Sequence, residues 1–453
     1  MDKNSKSMSP QKSEIIKNNI IAVYGLGNVG GAIAAVWLKK GAKVIGVDIS
    51  TILLDEIREG KSHKKEPYVS EIFTKSLKNK TLSLTTDGIS ASNNSTIKII
   101  SVPVGLKKNK IDLLSLIAVS KNISKGMKKG DVVIISPSLP PGTTVKIILP
   151  ILEKSSGLKG EKDFFLIYNP ERIFEGRAID DIEKNYPAIV GGLGIKSATF
   201  GKRLLELISQ KGVILMSSIA TAEAEKLFEG VYRDVNIALA NELAEFCDDA
   251  GVNYWEARTA ANSQPYCHLH YPGTGVGGLC IPVYPKFVIE ESMKHGKHLK
   301  IIEYARMIND NNPKKCVIDA ITLLLKHKIS KKGAKIAILG LGFRGDVTDT
   351  RLSPTYTVMN EFLKRKYTVS IHDPYITNDI SLPKNVYLSN DLTHVTSNVD
   401  LIFISTDHKM YAQLNTKSFS NANKPLLIFD GRNILNKENF KNQNIVTIGM
   451  KKK

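Results

Sequence analysis

The amino-acid sequence predicts an α/β fold, with two doubly wound domains joined by a long central helix and a helical middle domain. In both halves of the chain, short apolar runs alternate with helix-length segments, which is the pattern of parallel sheets covered by helices on both faces. Between the halves, residues 220–249 place apolar side chains at helical spacing and contain no proline and one glycine, Gly230. The predicted divisions are a disordered polar tail (1–19), a first doubly wound domain (20–212), a central helical domain (213–328) and a second doubly wound domain (329–453).

The bulk composition is that of a globular chain with a basic surface. Its 453 residues exceed what one core usually holds, and 42% hydrophobic with 24% charged residues exclude a disordered or fibrous chain. The formal net charge of +19 favours anionic partners such as nucleic acid, a membrane surface or phosphorylated metabolites. Because the lysines are spread along the chain without a basic helix or an RNA-binding signature, we expect solvated surface charge and no nucleic-acid partner.

The cysteines and the N-terminal segment indicate the cellular compartment of the protein. Four cysteines at irregular spacing do not form a disulfide framework and are typical of a reducing compartment. The polar N-terminal segment has no apolar stretch that would act as a secretory signal. We therefore expect a cytoplasmic protein.

The first strand–helix–strand unit begins at Ile20. Residues 20–38 carry no charged side chain and approach the length of a membrane span. Four glycines and Asn28 interrupt this stretch, which favours a strand over residues 20–24, a glycine turn and then a helix. A second strand follows at residues 43–48, so we expect no membrane segment here.

A glycine motif lies between that strand and that helix. Gly25, Gly27 and Gly30 form a GxGxxG pattern, in which the glycines allow a tight turn and let a pyrophosphate approach the helix N-terminus. Asp48 ends the next strand, where a carboxylate binds ribose hydroxyls and repels a 2′-phosphate. The motif therefore predicts NAD rather than NADP; the alternative is a glycine-rich turn without a ligand.

Further elements complete two parallel sheets. Strands are predicted at 97–102 and 132–136, with helices near 112–127 and 143–152. A second unit begins at Lys335, and its predicted elements are a strand running into a glycine turn, a helix over 354–364, and strands at 368–374, 400–405 and 425–429.

The second glycine set, Gly340, Gly342 and Gly345, mimics the first. Arg344 and Asp346 stand where an apolar helix start is usual, and Asp346 would oppose a bound pyrophosphate. We expect this domain to bind a different nucleotide in a different way.

Cys280 lies in the segment GTGVGGLCIP. The glycines around it allow close approach of a ligand to the backbone and place the thiol on a loop instead of in a core. The alternative, a buried structural cysteine, suits Cys247 and Cys316 on helical segments.

Cys267 stands beside His268 and His270, a grouping that can indicate a metal. The chain has no second ligand pair at zinc-site spacing. We predict no metal site.

Two sets of charged residues are candidates for the reacting centre. Lys226 shares one face of the long predicted helix with Glu223, Gly230 and Arg233, and could stabilise a developing alkoxide or position water; solvated helix charge is the alternative. Glu171 and Glu175 are four residues apart and, if helical, point the same way and could activate a water molecule.

Taken in order, these segments resemble the UDP-glucose/GDP-mannose dehydrogenase family. The resemblance runs from residue 21 to residue 433. The matching segments are GLGNVGG, SVPV, SLPPGTT, NPERIFEGRAI, AEAEKLFEGVYRDVNIALANELA, PGTGVGGLCIP, LGLGFRGDVTDTRLSP, STDH and FDGRN.

The resemblance implies a Rossmann-like NAD domain, a central helix that makes a homodimer, a C-terminal Rossmann-like domain for the UDP-sugar, and a four-electron oxidation. It implies that Cys280 is the nucleophile, that Lys226 steadies the oxyanion, and that Glu171 and Glu175 activate water. The cofactor-binding residues implied are Gly25, Gly27, Asn28, Val29, Gly30, Asp48, Pro103, Val104 and Ser138. The substrate-binding residues implied are Arg233, Asn236, Tyr271, Gly275, Gly277, Phe343, Arg344 and Arg351.

Four positions depart from the family's pattern. Gly230 stands where Asn is frequent, Tyr284 where Asp is common, Leu279 where His often precedes the cysteine, and Arg344 where Lys is usual. Gly230 and Tyr284 remove two polar partners of the reacting centre, and Tyr284 could supply a phenolic donor instead. We expect a variant active site that keeps its catalytic groups.

Within the family, the segments look most like the branch that acts on UDP-N-acetylmannosamine in polysaccharide biosynthesis, with UDP-N-acetylglucosamine and UDP-glucose as alternatives. Two other classes remain open from the residues. A two-electron hydroxyacid dehydrogenase shares the plan of a dinucleotide domain and a long helix. A non-catalytic nucleotide-sugar or nucleic-acid binder would suit the basic charge.

Overall fold

The computed structural model describes residues 15–450, apart from residues 17, 64–65, 108–109 and 330–332. They form two compact units, one up to Phe228 and one from Glu229 onward. The tail predicted over residues 1–19 lies largely outside the described residues. Ile16, however, is buried in the core of the first unit, so the folded part of that unit begins before residue 20.

The first unit contains an eight-stranded sheet in the order β10-β9-β8-β7-β4-β1-β2-β3. Its strands pair in parallel except where β8 meets β9, and the six strands from the β3 edge to β8 follow the doubly wound order. A short hairpin of β5 and β6 stands apart. The strands are Ile20–Tyr24 (β1), Lys43–Val47 (β2), Leu82–Thr85 (β3), Ile97–Ile100 (β4), Gly105–Lys107 (β5), Lys110–Asp112 (β6), Val132–Ile135 (β7), Phe165–Tyr168 (β8), Ala188–Gly192 (β9) and Val213–Leu215 (β10).

The apolar runs of this unit are strands because both faces of the sheet are buried. In β1, Ile21 and Val23 join the core on one face, while Ala22 and Tyr24 join the core on the other. The helices that cover the faces are Asn28–Lys39 (α1), Thr51–Arg58 (α2), Val69–Lys78 (α3), Gly88–Asn93 (α4), Leu114–Gly126 (α5), Leu149–Ser156 (α6), Ala178–Asp180 (α7) and Ile195–Leu205 (α8). The charge-free stretch 20–38 is therefore a strand, a turn and a helix, as predicted.

One helix, α9, covers Ile219–Ala250 and agrees with the helix predicted over residues 220–249. In the second unit Asp234 of α9 forms a buried ion pair with Arg306, and Asn309 Nδ2 donates to Asp234 Oδ1 at 2.9 Å. The remaining α-helices of this unit, within the described residues, are Tyr254–Ala261 (α10), Tyr284–Lys294 (α11), Lys300–Lys326 (α12), Pro354–Lys364 (α13) and Leu392–Val395 (α14).

The second unit also contains a six-stranded sheet in the order β13-β12-β11-β14-β15-β16, and every pair is parallel. This is the doubly wound order again. Ile336 and Ile338 face one core, and Ala337 and Leu339 face the other. The strands are Lys335–Leu339 (β11), Thr368–His372 (β12), Tyr387–Ser389 (β13), Leu401–Ile404 (β14), Leu427–Asp430 (β15) and Asn444–Thr447 (β16). The predicted fold class is confirmed.

Candidate active site

The first glycine turn follows β1 at the point where the strand order reverses, which is where doubly wound sheets bind ligands. Gly25 has φ +89°, a conformation that side chains disfavour, and its N–H donates to Val47 O at 2.8 Å. A Cβ on Gly30 would overlap the carbonyl oxygen of Gly25. A Cβ on Gly27 would meet nothing within 4 Å. Gly25 and Gly30 therefore build the turn, whereas Gly27 leaves it open to a ligand.

The turn fits the pyrophosphate of a dinucleotide. Gly27 caps α1 and has no side chain that could accept hydrogen bonds from the first N–H groups of that helix, so these groups can receive an anion. Asp48 accepts from Leu26 N at 2.8 Å and from Ser50 N at 2.9 Å. Its carboxylate is half-buried, and each oxygen keeps a lone pair for a ribose hydroxyl.

The other predicted cofactor residues lie around the same sheet edge. Asn28 is exposed, and Val29 is half-buried in the first turn of α1. Pro103 is exposed just after β4, while Val104 packs against the core. Ser138 follows β7 and is half-buried. The structure thus brings these residues to the carboxyl ends of three neighbouring strands, and their binding roles stay predictions.

Glu171 and Glu175 are not on a helix, so the shared helical face considered for them is absent. The segment is irregular, and Glu171 accepts a hydrogen bond from Ile173 N in its own loop. Glu175 Oε1 instead accepts from Asn28 Nδ2 at 3.3 Å. The loop therefore places one of the two predicted carboxylates beside the glycine turn.

Glu66 is a buried carboxylate that the sequence did not single out. It accepts from Gly176 N at 2.9 Å and from Ala178 N at 3.1 Å, and burial raises its pKa above the usual value. It therefore holds the chain directly after Glu175. Because the partners are main-chain groups 110 and 112 residues away, no local sequence pattern predicts this role of Glu66.

Glu223 is fully buried on α9, so solvated helix charge is the wrong interpretation for this residue. Its carboxylate accepts from Gly142 N at 2.5 Å and Thr144 N at 2.9 Å, and so holds the SLPPGTT loop. Lys226, one turn further along the helix, is half-buried.

A buried phenol shows that carboxylates gather at the end of β8. Burial raises the pKa of Tyr168 far above its usual value, and the negative charges of Glu223, Glu225 and Glu171 raise it further. The Tyr168 hydroxyl donates to Pro137 O at 3.0 Å. Glu171 and two carboxylates of the helix turn that carries Lys226 thus lie close enough to Tyr168 to raise the same pKa.

In the second unit, the loop before Cys280 is held by amide side chains. Asn241 Oδ1 accepts from Gly273 N at 3.0 Å, and Asn312 Nδ2 donates to Gly273 O at 2.5 Å. A Cβ on Gly275 would lie 2.8 Å from both Pro313 and Pro354. Cys280 itself is exposed, as the glycine content of its loop predicted.

Phe343 packs on the same loop. A Cβ on Gly277 would lie 2.7 Å from Phe343 Cβ, and one on Gly278 would lie 2.9 Å from the Phe343 ring. Gly278 has φ +87°, and its N–H donates to Arg351 O at 3.0 Å. The structure therefore brings the glycine loop, Phe343 and the Arg351 main chain together, and their substrate-binding roles stay predictions.

The remaining predicted substrate residues differ in how they are held. The Arg351 guanidinium is paired with Asp349, with Nη2 2.6 Å from Oδ2, and Arg344 is half-buried. Arg233 is exposed on α9, and Asn236 donates back to Tyr232 O at 2.7 Å on the same helix.

The exposed ring of Tyr271 lies 3.8 Å below the guanidinium of Arg258. One ring face is therefore already covered by a cation. The substrate-binding roles of this set stay predictions.

The second glycine turn departs from a dinucleotide site, and no helix starts directly after it; the next described helix begins at Pro354. Asp373 follows β12 as Asp48 follows β2, but it is completely buried and accepts from Leu341 N and Gly342 N at 2.8 and 3.0 Å. His408 Nε2 lies 3.2 Å from the same carboxylate oxygen. Asp346 adopts φ +60° beside them.

Cys247 and Cys316 are buried. Within the described ranges, no group of three His, Cys, Asp or Glu side chains is arranged to hold a metal ion. In the same part of the chain, every helix is too short or too polar to cross a membrane.

The first unit is doubly wound and has an open glycine turn, and the second carries an accessible thiol on a glycine-rich loop. These features are typical of a dinucleotide-dependent oxidoreductase that uses a cysteine. The chain belongs to the UDP-glucose/GDP-mannose dehydrogenase family. Its NAD binding domain matches residues 19–209, its central domain residues 220–311 and its UDP binding domain residues 337–437. The chain is therefore an NAD-dependent nucleotide-sugar dehydrogenase.

Named relatives and solved structures agree with this assignment. The chain is 33% identical to UDP-N-acetyl-D-mannosamine dehydrogenase of Pyrococcus horikoshii, over 92% of this chain and 96% of the relative. It is 36% identical to the protein of the same name from Campylobacter jejuni, over 75% of this chain and 83% of the relative. The solved structure of the P. horikoshii UDP-D-ManNAc dehydrogenase superposes with a TM-score of 0.87 at 32% identity, covering 95% of this chain and 99% of that one.

Proposed function

We propose that this protein oxidises the primary alcohol of UDP-N-acetyl-D-mannosamine to the carboxylate. The observation that carries the proposal is the exposed Cys280 on a loop that Phe343 and Arg351 hold within the second unit. The relatives at 33% and 36% identity, both named for this sugar, support the choice of substrate. UDP-N-acetylglucosamine and UDP-glucose are the alternatives to be tested.

A nucleophilic cysteine explains how the oxidation goes beyond the aldehyde. After the alcohol loses a hydride and a proton, the Cys280 thiolate adds to the aldehyde carbon and forms a thiohemiacetal. Loss of a second hydride gives a thioester, and water then releases the carboxylate and the free thiol. NAD, when bound, accepts a hydride at each oxidation.

The other predicted residues have separate roles in this scheme. The Lys226 ammonium balances the negative charge that develops on the substrate oxygen. Glu171 and Glu175 orient or deprotonate the water that cleaves the thioester. The glycine turn and Asp48 hold NAD, and Arg344 and Arg351 bind the nucleotide phosphates and base.

A panel of UDP-sugars tests the proposal. Each sugar is incubated with NAD, NADH is counted per sugar consumed, and the product mass is measured. We expect two NADH and a gain of one oxygen with loss of two hydrogens, fastest with UDP-N-acetyl-D-mannosamine. One NADH per substrate would favour the two-electron class, and binding without NADH would favour a non-catalytic protein.

We also propose that the protein is a homodimer through α9. Tyr232, Leu239 and Phe246 recur every seven residues along this helix, and all three are at least 42% exposed, an apolar stripe that a second copy would cover. Light scattering should report twice the mass of 49.9 kDa, and Leu239→Glu should give the monomer. A monomeric parent protein would contradict this proposal.

The cytoplasm is the proposed location. All four cysteines lie within the described residues and none is in a disulfide, which suits a reducing compartment. Fractionation of cells that express the protein tests this location.

A further inference from the structure

Gly230 lies in the middle of α9, where glycine weakens a helix relative to alanine. It does not have a positive φ, so backbone conformation does not require a glycine there. The requirement is steric. A Cβ at residue 230 would lie 2.5 Å from Cδ2 of Tyr284 and 3.1 Å from its Cβ.

Tyr284 is the first residue of α11 and is only 8% exposed. Its main-chain N–H donates to Cys280 O at 2.9 Å, and Val283 N donates to the same oxygen at 3.1 Å. The ring that rests on Gly230 and the N–H that holds Cys280 therefore belong to one residue. A displacement of Cβ and the ring of Tyr284 would therefore act on the turn that carries the thiol.

We propose that Tyr284 is a positioning residue for Cys280, and that it can act only because residue 230 is glycine. This inference rests on the proposed role of Cys280 as the nucleophile. It also explains together two departures from the family's pattern, Gly230 and Tyr284. The aromatic ring at 284 occupies the space that a side chain at 230 would fill. The contact that matters is made by the ring carbon Cδ2 and by Cβ of Tyr284, not by the phenol hydroxyl.

The consequence for chemistry follows from the geometry of nucleophilic attack. The thiolate must approach the aldehyde carbon at a defined distance and angle, and a misplacement of about 1 Å reduces the rate about 100-fold. Gly230→Ala pushes the ring away from α9 and should shift the Cys280 turn by a comparable amount. Tyr284→Ala removes the ring and should release the same turn.

The test is a double-variant cycle with Gly230→Ala, Tyr284→Ala and both together. We measure kcat, the KM for NAD, and the rate at which iodoacetamide alkylates Cys280. Alkylation is followed on a Cys267→Ser background, since Cys247 and Cys316 are buried. Thermal unfolding confirms that each variant is folded.

We expect Gly230→Ala to lower kcat about 100-fold with an unchanged KM for NAD, and to change the alkylation rate several-fold. In the Tyr284→Ala background the same Gly230→Ala change should have a much smaller effect, because the ring atom at 2.5 Å is gone and only the contact with Cβ of residue 284 at 3.1 Å remains. Tyr284→Phe keeps the ring and should stay within about two-fold of the parent in both readouts.

Three results would overturn the proposal. The first is additive losses of kcat in the double variant, and the second is parental alkylation and turnover in Gly230→Ala. The third is a large loss of kcat in Tyr284→Phe, which would assign the role to the phenol hydroxyl. If no UDP-sugar yields NADH with the parent protein, the proposed function fails, whereas the alkylation cycle still tests the positioning of Cys280.

Discussion

The glycine turn of the first unit offers a matched pair of substitutions that separate folding from cofactor binding. Gly27→Ala adds a methyl group into open space, because nothing lies within 4 Å of a Cβ there. Gly30→Ala adds the same methyl group against the carbonyl oxygen of Gly25. We predict that the first change weakens NAD binding in a stable protein and that the second destabilises the fold.

The structure sets the two magnitudes. Gly27 has φ −62° and ψ −168°, which alanine can adopt, so the stability loss should be only about 0.5 kcal/mol. The methyl group would block one charge-assisted hydrogen bond to the pyrophosphate, worth about 1.5–3 kcal/mol, or about 10- to 100-fold in Kd. For Gly30→Ala, the steric overlap should lower the free energy of unfolding by about 3 kcal/mol. The higher helix propensity of alanine should offset about 1 kcal/mol of that loss.

The assay measures NAD affinity by fluorescence titration and the unfolding temperature of the first unit for both variants. The net loss of about 2 kcal/mol in Gly30→Ala should lower that temperature by about 4–8 °C. Parental NAD affinity in Gly27→Ala would refute the assignment of this turn to the pyrophosphate. A Gly30→Ala protein as stable as the parent would refute the steric argument.

Three further predictions concern charged and titratable groups. Lys226→Ala should lower kcat far more than NAD affinity, and an equal loss of both in steady-state and titration assays would indicate a structural role. Glu223→Gln can accept from only one of the two N–H groups of Gly142 and Thr144, so it should lose about 1–3 kcal/mol of stability; unchanged urea unfolding would contradict this. His372 Nε2 donates to Asn390 O at 3.2 Å and its Nδ1 lies 2.9 Å from the Tyr411 hydroxyl, and burial lowers its pKa below 6.5. A lowered pKa contributes stability that is present above pH 6.5 and lost as the pH falls through the folded pKa. His372→Gln should therefore flatten the acid side of the unfolding free energy by up to about 1.4 kcal/mol per pH unit. An unchanged slope in the variant would contradict this assignment.

Each unit has an aspartate at the equivalent position of its sheet, and the two aspartates have different surroundings. Asp48 and Asp373 each follow the second strand of a sheet and each accept N–H groups of the neighbouring glycine turn. Asp48 remains half-buried and open to ribose. Asp373 is enclosed, and hydrogen bonds from His408 and the main chain outweigh its burial and lower its pKa. The second turn is thus braced by its own side chains instead of being left open to a dinucleotide.

Most helices and strands could be predicted from the sequence because each depends on the spacing of residues within one segment. The apolar runs of β4 and β7, the glycine turn after β1 and the 32-residue helix α9 each follow from spacing within one segment. The exposed position of Cys280 followed in the same way from the glycines beside it.

The rest depends on contacts between distant segments. Glu66 reaches main-chain groups 110 residues away, and the Asn241 and Asn312 side chains that hold Gly273 come from two different helices. Glu171 and Glu175 have helical spacing, yet their loop is irregular because its hydrogen bonds go to Glu66 and Asn28. Spacing alone cannot show which partner a buried polar group will find.

Trapping the covalent intermediate tests the central claim most directly. The protein is mixed with NAD and UDP-N-acetyl-D-mannosamine, quenched in acid during turnover, digested and examined by mass spectrometry. We predict a sugar nucleotide attached to the peptide that contains Cys280, and no carboxylate product from Cys280→Ala. Normal carboxylate formation by Cys280→Ala would contradict the covalent mechanism.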